Sequence, residues 1–247
     1  MGLSPRWQTI IRLYGVQAAW TYERMAGIGV GHAAAPMLRD LFRDRDAIER
    51  RAAVARSAEY FNSHPYLAGI AVGAVVRSER DGVPGGAISR LRTALSGPLG
   101  ALGDQLIWTG EVPALMGFTL ALLPVVGWWA VAAAVLVHNV MRFRLTRWSL
   151  DLGLAHGLGV GAALQQSWLP RAAKDAQRVA AFAVGLALPV TAAWLWLDGI
   201  HEGGEVILAL VLVGTVLTLA PGTRTRVTGL RFGLALLGAA ILLMGGW

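Results

Sequence analysis

The fold of this chain is decided by the stretch EYFNSHPYLAG at residues 59–69, where Asn62, Ser63 and His64 interrupt an apolar run. Proline lacks a backbone N–H and disfavours the α conformation in the residue before it, so Pro65 predicts that a helix arriving through Tyr60 and Phe61 breaks near Asn62 or His64. Proline is also favoured at the first helical position, so a second helix is predicted to begin there with His64 as its N-cap. The free N–H groups of that helix would then face the three polar side chains and form a small polar pocket.

A second stretch of the same kind is SGPLGALGDQLIW at residues 96–108, where Pro98 is again placed to open a helix and Asp104 is the only charge. Two broken helices, each polar at the break and apolar on both sides, are typical of the discontinuous segments that line substrate sites within membranes. The alternative is a pair of ordinary turns between buried helices.

Composition indicates a membrane protein. Hydrophobic residues make up 55% of the 247 residues and charged residues 15%, and the mean hydropathy is +0.53. The net charge of +7 comes from arginines dispersed between apolar runs, which is typical of juxtamembrane anchors and not of a nucleic-acid surface.

The absence of cysteine excludes disulfides, thiolate catalysis and cysteine-ligated metals. Pro5, Arg6 and Arg12 interrupt any signal-peptide core, so no cleavable signal is expected.

The first 110 residues are predicted to form a core domain. Residues 7–14 have the spacing of a helix that lies in the membrane interface. A helix over residues 16–38 would place Trp20, Glu23 and Gly27 on one face, and its alternating glycines predict close helix packing. Residues 39–56 carry many charges and predict a solvated helix, whereas the apolar run 67–76 is too short to span and predicts one arm of a re-entrant hairpin.

Residues 111–247 are predicted to form a transmembrane helical region. Residues 113–140 are the longest apolar run, and the three arginines of residues 142–147 place its end in the cytoplasm by the positive-inside rule. Shorter runs at 180–197, 206–220 and 232–247 predict further crossings. The sequence therefore predicts an all-α membrane protein with re-entrant or broken-helix hairpins in the amino-terminal half and about four transmembrane helices in the carboxyl-terminal half.

No motif for covalent or metal catalysis is recognised. The string HEGGE at residues 201–205 lacks the second histidine of a zinc-protease HExxH and has two glycines where that motif needs a helix. Neither a Ser/His/Asp order nor a phosphate-binding GxxxxGK is found. An intramembrane hydrolase is therefore disfavoured, and no catalytic residue, metal or cofactor is expected on this chain.

Three segments together carry a family resemblance: VQAAWTYERMAG at residues 16–27, the stretch at 59–69, and LSGPLGALGDQLIW at 95–108. In order and spacing they resemble the IID membrane subunit of mannose/fructose/sorbose-family phosphotransferase systems. The resemblance covers roughly the first 150 residues. It implies a multi-pass protein of the bacterial cytoplasmic membrane.

The resemblance also implies the partners. A IID subunit works with a homologous IIC membrane subunit, in a complex of trimeric symmetry that moves sugar by an elevator-like displacement of a core domain. The phosphoryl group would come from a histidine of a IIB protein supplied by IIA, so no residue of this chain is expected to be phosphorylated. The implied function is uptake of a mannose-type hexose coupled to its phosphorylation.

A hexose site needs carboxylates and amides for adjacent hydroxyls, and aromatic faces for the C–H surface of the ring. The predicted substrate-binding residues are Glu23, Asn62, His64, Asp104, Trp20 and Tyr66, and Trp108 offers a further aromatic face. The structural alternative is that the two carboxylates pair with Arg24, Arg90 or Arg92 to lock the hairpins.

The competing function is a transport-degenerate IID-like scaffold or regulator of a phosphotransferase system. It rests on Ala18, Ala19 and Thr21, which stand where the family more often shows serine or asparagine. The choice of sugar is not encoded in any residue that the sequence singles out, since hexose epimers differ only in the direction of one hydroxyl.

Overall fold

Helices make up almost all of the protein that the computed structural model describes, which is residues 2–197. Across this range the chain forms two isolated β-bridges and no strand, so the all-α prediction is confirmed. The helices are α1 (Pro5–Tyr14), α2 (Gly27–Leu41), α3 (Ala47–Ser57), a 3₁₀ turn (Pro65–Leu67), α4 (Ala68–Arg80), α5 (Gly85–Leu106), a π-helical segment (Ile107–Glu111), α6 (Val112–Val126), α7 (Trp129–His156), a 3₁₀ turn (Gly157–Gly159), α8 (Val160–Gln166) and α9 (Leu169–Leu197).

Helix α4 lies at the centre of the core. Its apolar side chains between residues 68 and 76 are each exposed by 1% or less. Gly69 and Gly73 on α4 and Gly153 on α7 lie where the two helices touch, and a methyl group at any of them would overlap atoms of the facing helix. The small residues therefore let the two backbones approach closely, as in membrane helix pairs.

Close packing also explains the alternating glycines at the start of α2. A methyl group at Gly27 would overlap the carbonyl oxygen of Glu59, and one at Gly29 would overlap the carbonyl oxygen of Val16. One at Gly31 would meet Ala58. The prediction that these glycines serve helix packing is confirmed.

The predicted helix over residues 16–38 begins later than expected, at Gly27. Thr21 and Met25 exchange two backbone hydrogen bonds of 3.3 and 2.7 Å, and Met25 has a φ of +50°. The Ala26 N–H then donates to the carbonyl oxygen of Phe61 at 2.9 Å. These tertiary bonds hold residues 16–26 as a loop, so the prediction of one helical face formed by Trp20, Glu23 and Gly27 is wrong.

The predicted second break at Pro98 is also wrong, because α5 runs continuously through this residue. Pro98 is exposed, while Leu95 and Leu99 on either side of it are buried. Their burial outweighs the cost of about 3 kcal/mol for a proline inside a helix. The helix loses its regular pattern further on, in the π-helical segment, and the amino-terminal half therefore contains one break of the predicted kind.

The continuous helical stretch Gly85–Val126, which joins α5, the π-helical segment and α6, is the one helix within residues 2–197 that is long and apolar enough to cross a membrane. The predicted crossing over residues 113–140 is wrong as a single helix, because α6 ends at Val126 and the chain turns at Gly127. That glycine has a φ of +61°, a conformation that glycine adopts without steric cost. The stacked rings of Trp128 and Trp129, 3.9 Å apart, form the tip between α6 and α7.

Large apolar side chains stay exposed on α6, on the first half of α7 and on α9. They include Met116, Leu120, Val125, Val131, Leu136, Val140, Phe182 and Leu188. Such an extended apolar surface is typical of a face that meets lipid or a partner protein. The crossings predicted at 206–220 and 232–247 and the acidic turn at 201–205 lie outside the described residues.

Candidate functional site

The break predicted at His64 is confirmed, but the arriving helix ends earlier than predicted, at Ser57, and does not run through Tyr60 and Phe61. His64 has the extended backbone of an N-cap, and its Nδ1 atom accepts a hydrogen bond of 3.3 Å from the N–H of Tyr66. Pro65 occupies the first position of the following 3₁₀ turn. Helix α3 ends at Ser57, so the segment between the two helices carries the polar residues without helical bonds.

The His64 side chain is buried, with 3% of its surface exposed, and lies outside the candidate membrane-spanning helix. Burial lowers the pKa of His64 to about 4, although the charge of Asp104 acts in the opposite direction. The imidazole is therefore neutral at pH 7, and because Nδ1 accepts from a backbone N–H, Nε2 carries the proton. That Nε2–H group is buried and finds no partner among residues 2–197.

Helix α5 packs against His64 from the other side. Gly103 faces His64 so closely that a methyl group at this position would overlap the histidine Cβ and Cγ atoms. The neighbouring Asp104 is exposed and near enough for its charge to affect His64. The rings of Tyr66 and Trp108 lie with their centroids 4.9 and 6.1 Å from the imidazole. The structure thus brings a neutral imidazole, a carboxylate and two aromatic rings together.

Asn62 is attached to α5 through its backbone. Its N–H donates to the Ser96 hydroxyl oxygen at 2.9 Å, and the same hydroxyl donates back to the Asn62 carbonyl oxygen. The Asn62 side chain is exposed and makes no hydrogen bond within the described residues. It lies at the edge of the pocket, two residues from His64.

Trp20 and Glu23 lie on the loop of residues 16–26 and are both exposed. The indole of Trp20 packs edge-on against Tyr22, with ring centroids 4.9 Å apart. Glu23 makes no hydrogen bond or ion pair in the described part of the chain. This loop reaches the break through the backbone bonds to Phe61, and no side-chain contact between these two residues and His64 is found within residues 2–197.

The carboxylates do not take the arginine partners that the structural alternative assigned to them. Arg92 is buried and binds backbone carbonyl oxygens at the end of α3, and its Nη1 atom lies 3.7 Å from the carboxylate of Glu59. Neither Asp104 nor Glu23 forms an ion pair among the residues described. The pairing hypothesis for these two side chains is therefore wrong in this structure.

Sequence reasoning missed two residues that the structure connects to the pocket. The Tyr66 hydroxyl lies 3.0 Å from Nε2 of His138, and Nδ1 of His138 lies 2.9 Å from a carboxylate oxygen of Glu111. Glu111 closes the π-helical segment, and such segments are frequent at functional sites. A signal existed, since Glu111 is the only acidic residue between positions 105 and 150 and lies in an apolar run, where a carboxylate is costly.

Comparison with known proteins identifies the family. The family model described as "PTS system mannose/fructose/sorbose family IID component" matches residues 4–198. The chain belongs to this family. The resemblance seen in the three sequence segments is confirmed. Membership of this family, together with the long apolar helix Gly85–Val126, makes the IID component described here a membrane protein.

Two relatives illustrate the sequence divergence. The chain is 22% identical over 174 residues to the mannose-specific EIID component of Escherichia coli K12, a match that covers 68% of this chain and 61% of that protein. It is 26% identical over 177 residues to the sorbose-specific EIID component of Klebsiella pneumoniae, covering 69% and 63%. The chain thus matches about three fifths of the length of these relatives.

A solved structure shares the fold. The structure described as a mannose transporter ManYZ in complex with microcin E492 contains a chain that matches with a TM-score of 0.53 and 20% identity. The alignment covers 99% of this IID component and 97% of that chain. The IID component therefore shares its helical fold with a chain of that membrane transporter.

Proposed function

We propose that this IID component is a membrane subunit of a sugar phosphotransferase system and helps form the path for uptake of a mannose-type hexose that is phosphorylated as it enters. The observation that carries the proposal is the buried Nε2–H of His64 at a helix break, which finds no hydrogen-bond partner within residues 2–197. An unsatisfied buried donor costs about 1–3 kcal/mol, and a sugar hydroxyl oxygen would remove that cost.

The other groups around His64 suit a hexose. Asp104 can accept hydrogen bonds from adjacent hydroxyls, and the amide of Asn62 can both donate and accept. The rings of Tyr66 and Trp108 offer apolar faces. Because the His64 Nε2 atom is closed to solvent, a sugar reaches it only when a neighbouring ring moves, and Trp108 is the more exposed of the two, at 61%.

The loop of residues 16–26 has a secondary role in the proposal. Trp20 and Glu23 are exposed near the break, and we assign them contacts to sugar at the pocket entrance. Both lie on the loop whose Ala26 N–H is bonded to the Phe61 carbonyl oxygen. Movement of this loop would therefore be transmitted to the segment that carries His64.

The proposed assembly follows the family. Partners are a IIC membrane subunit, in a complex of trimeric symmetry, and the IIA and IIB phosphocarrier proteins, in the bacterial cytoplasmic membrane. The exposed apolar faces of α6, α7 and α9 suit contact with IIC and lipid. We propose that residues 1–110 form a core domain in which the break at His64 belongs to a re-entrant hairpin. Residues 111–247 are proposed to form a multi-pass helical region with about four crossings.

Substitution of His64 tests the function. His64→Ala should abolish uptake of radiolabelled mannose, measured when this chain is expressed with its cognate IIC subunit and IIA and IIB proteins. The loss of one buried polar contact should weaken sugar binding by about 1–3 kcal/mol, while the IID–IIC complex still assembles. Pro65→Ala should impair both assembly and uptake, because it removes the constraint that holds the break open.

Two outcomes would contradict this proposal. Wild-type uptake in His64→Ala would remove the histidine from the site, and loss of assembly in that variant would favour a structural role. The scaffold or regulator alternative predicts that the unmodified chain supports neither uptake nor phosphorylation of mannose, fructose or sorbose with all its partners present.

Gly103 offers a test that removes no polar group. Gly103→Ala should push His64 out of position, because the new methyl group would overlap its Cβ and Cγ atoms. We expect sugar affinity to fall on the order of tenfold, the scale of one misplaced hydrogen bond. Gly100→Ala on the same helix is the matched control, since its methyl group would meet no atom within 4 Å. Equal uptake by the two variants would contradict the proposed position of His64.

A further inference from the structure

A chain of hydrogen bonds leads from a buried carboxylate to the pocket. Glu111 is 8% exposed, and its two carboxylate oxygens lie 2.9 and 3.2 Å from Nδ1 of His138. Nε2 of the same imidazole lies 3.0 Å from the hydroxyl of Tyr66. The ring of Tyr66 in turn faces His64, with ring centroids 4.9 Å apart. We call Glu111, His138 and Tyr66 the relay.

The chemistry of the carboxylate sets the direction of the relay. A carboxylate only accepts hydrogen bonds, so Nδ1 of His138 carries the proton. When the imidazole is neutral, Nε2 is the acceptor, and the Tyr66 hydroxyl donates its only proton to it. Within residues 2–197 no other group bonds to the Tyr66 oxygen, so its lone pairs are left to accept. The hydroxyl is thus held as an acceptor for a group that approaches from the pocket.

The relay joins three separate elements and is held from the side. Tyr66 lies in the 3₁₀ turn, Glu111 in the π-helical segment and His138 on α7. The guanidinium of Arg142 lies 5.0 Å from the centre of the Tyr66 ring and donates to the Tyr14 carbonyl oxygen at 3.0 Å. A carboxylate within an apolar helix is costly and usually functional. Its burial here suits a group that fixes the hydrogen-bonding direction of its partners.

We propose that Glu111 and His138 are positioning residues that hold the Tyr66 oxygen as a hydrogen-bond acceptor for one hydroxyl of the transported hexose. The inference rests on the proposed function, because it assigns a polarity to one contact of that site. It names two residues that do not touch the sugar and act through Tyr66. Because the Tyr66 proton is already engaged with His138, the Tyr66 oxygen would bind a sugar hydroxyl only by accepting a hydrogen bond from it.

Glu111→Gln can reverse the relay while keeping its shape. Where the glutamine NH2 group donates to Nδ1 of His138, the imidazole proton moves to Nε2, and where the glutamine carbonyl oxygen accepts instead, the proton stays on Nδ1. In the first case Nε2 donates to the Tyr66 oxygen, and the Tyr66 proton turns toward the pocket. The sugar hydroxyl would meet a donor where the native protein presents an acceptor. We expect mannose affinity to fall about tenfold, the scale of one hydrogen bond.

A double-mutant cycle separates positioning from a structural role. Glu111→Gln should have no further effect on mannose affinity in a Tyr66→Phe background, because it acts through the hydroxyl that Phe lacks. The monodeoxy mannose that lacks the donating hydroxyl should bind the native protein and Glu111→Gln equally. Additive losses, or an equal loss for every monodeoxy mannose, would overturn the proposal. Asp151→Asn is the control, because it neutralises an exposed carboxylate that pairs with Arg6 on another face.

A sugar-free measurement tests the relay itself. Nitrogen NMR of the ¹⁵N-histidine-labelled IID–IIC complex should show the His138 proton on Nδ1 in the native protein and on Nε2 in Glu111→Gln. The signal is assigned by its loss in His138→Gln. A proton on Nε2 of His138 in the native protein would overturn the inferred direction. If the native complex binds none of mannose, fructose or sorbose, the proposed function fails, and a proton that still moves to Nε2 shows that the relay has the inferred direction but overturns its assignment to a hexose.

Discussion

Replacing Gly73 by alanine should prevent α4 from seating against α7 and should cause a large loss of stability. The new methyl group would overlap the carbonyl oxygen of Leu150 and the backbone nitrogen of Leu154. Overpacking of a core costs about 1–3 kcal/mol and occasionally more. The upper end applies here, because the obstructing atoms belong to the backbone and cannot rotate away.

The measurement is thermal unfolding of the purified IID–IIC complex together with the amount of protein that accumulates in the membrane. Gly161→Ala is the control, since its methyl group would meet nothing within 4 Å. It should leave stability unchanged or raise it slightly, because alanine favours the helix over glycine. A melting temperature for Gly73→Ala equal to that of Gly161→Ala would contradict the close contact between α4 and α7.

The break at His64 could be predicted because its causes are local. Pro65 removes a donor and restricts the residue before it, whatever surrounds the chain. The N-cap geometry and the bond between His64 and the Tyr66 N–H follow from two adjacent residues. The same holds for the glycines of α2, whose alternation signalled close packing before any partner was known.

The break expected at Pro98 fails because tertiary packing decides that position. Leu95 and Leu99 are buried on the same helix, and the Ser96 hydroxyl is bonded to Asn62. None of these partners is visible in the local sequence. The turn at Gly127 and the loop of residues 16–26 depend in the same way on contacts with distant segments, so a helical spacing alone misjudged both.

The candidate site likewise combines contacts between sequence neighbours, which could be predicted, with contacts between distant segments, which could not. His64, Tyr66 and Asn62 cluster because they are neighbours in sequence, and Asp104 joins them because α5 packs on the break. Glu111 and His138 are 27 residues apart and meet only when α7 folds back on α6. The carboxylate in an apolar run was the one usable signal for them. It marks a costly position without naming the partner.

Arg92→Met should cause the other large loss, because Arg92 fastens the end of α3 to α5 from inside the protein. Its guanidinium donates to the carbonyl oxygens of Arg56, Ser57 and Glu59 at 2.6, 2.9 and 3.0 Å. Only 1% of this side chain is exposed. The last carbonyl groups of a helix have no partner within the helix, so methionine would remove a donor from the carbonyl oxygens of Ser57 and Glu59, of which Ser57 is buried.

Breaking one partner of a buried charged network typically costs about 3–5 kcal/mol, so Arg92→Met should reduce membrane accumulation and lower the melting temperature of the IID–IIC complex. Arg92→Lys should recover only part of the loss, because an ammonium group cannot reproduce the planar fork that reaches three carbonyls. Arg90→Met, on the exposed side of the same helix, is the control for losing one positive charge. If Arg90→Met and Arg92→Met lost stability equally, charge would be the cause. A loss confined to Arg92 assigns the effect to the carbonyl groups at the end of α3, next to the segment that carries His64.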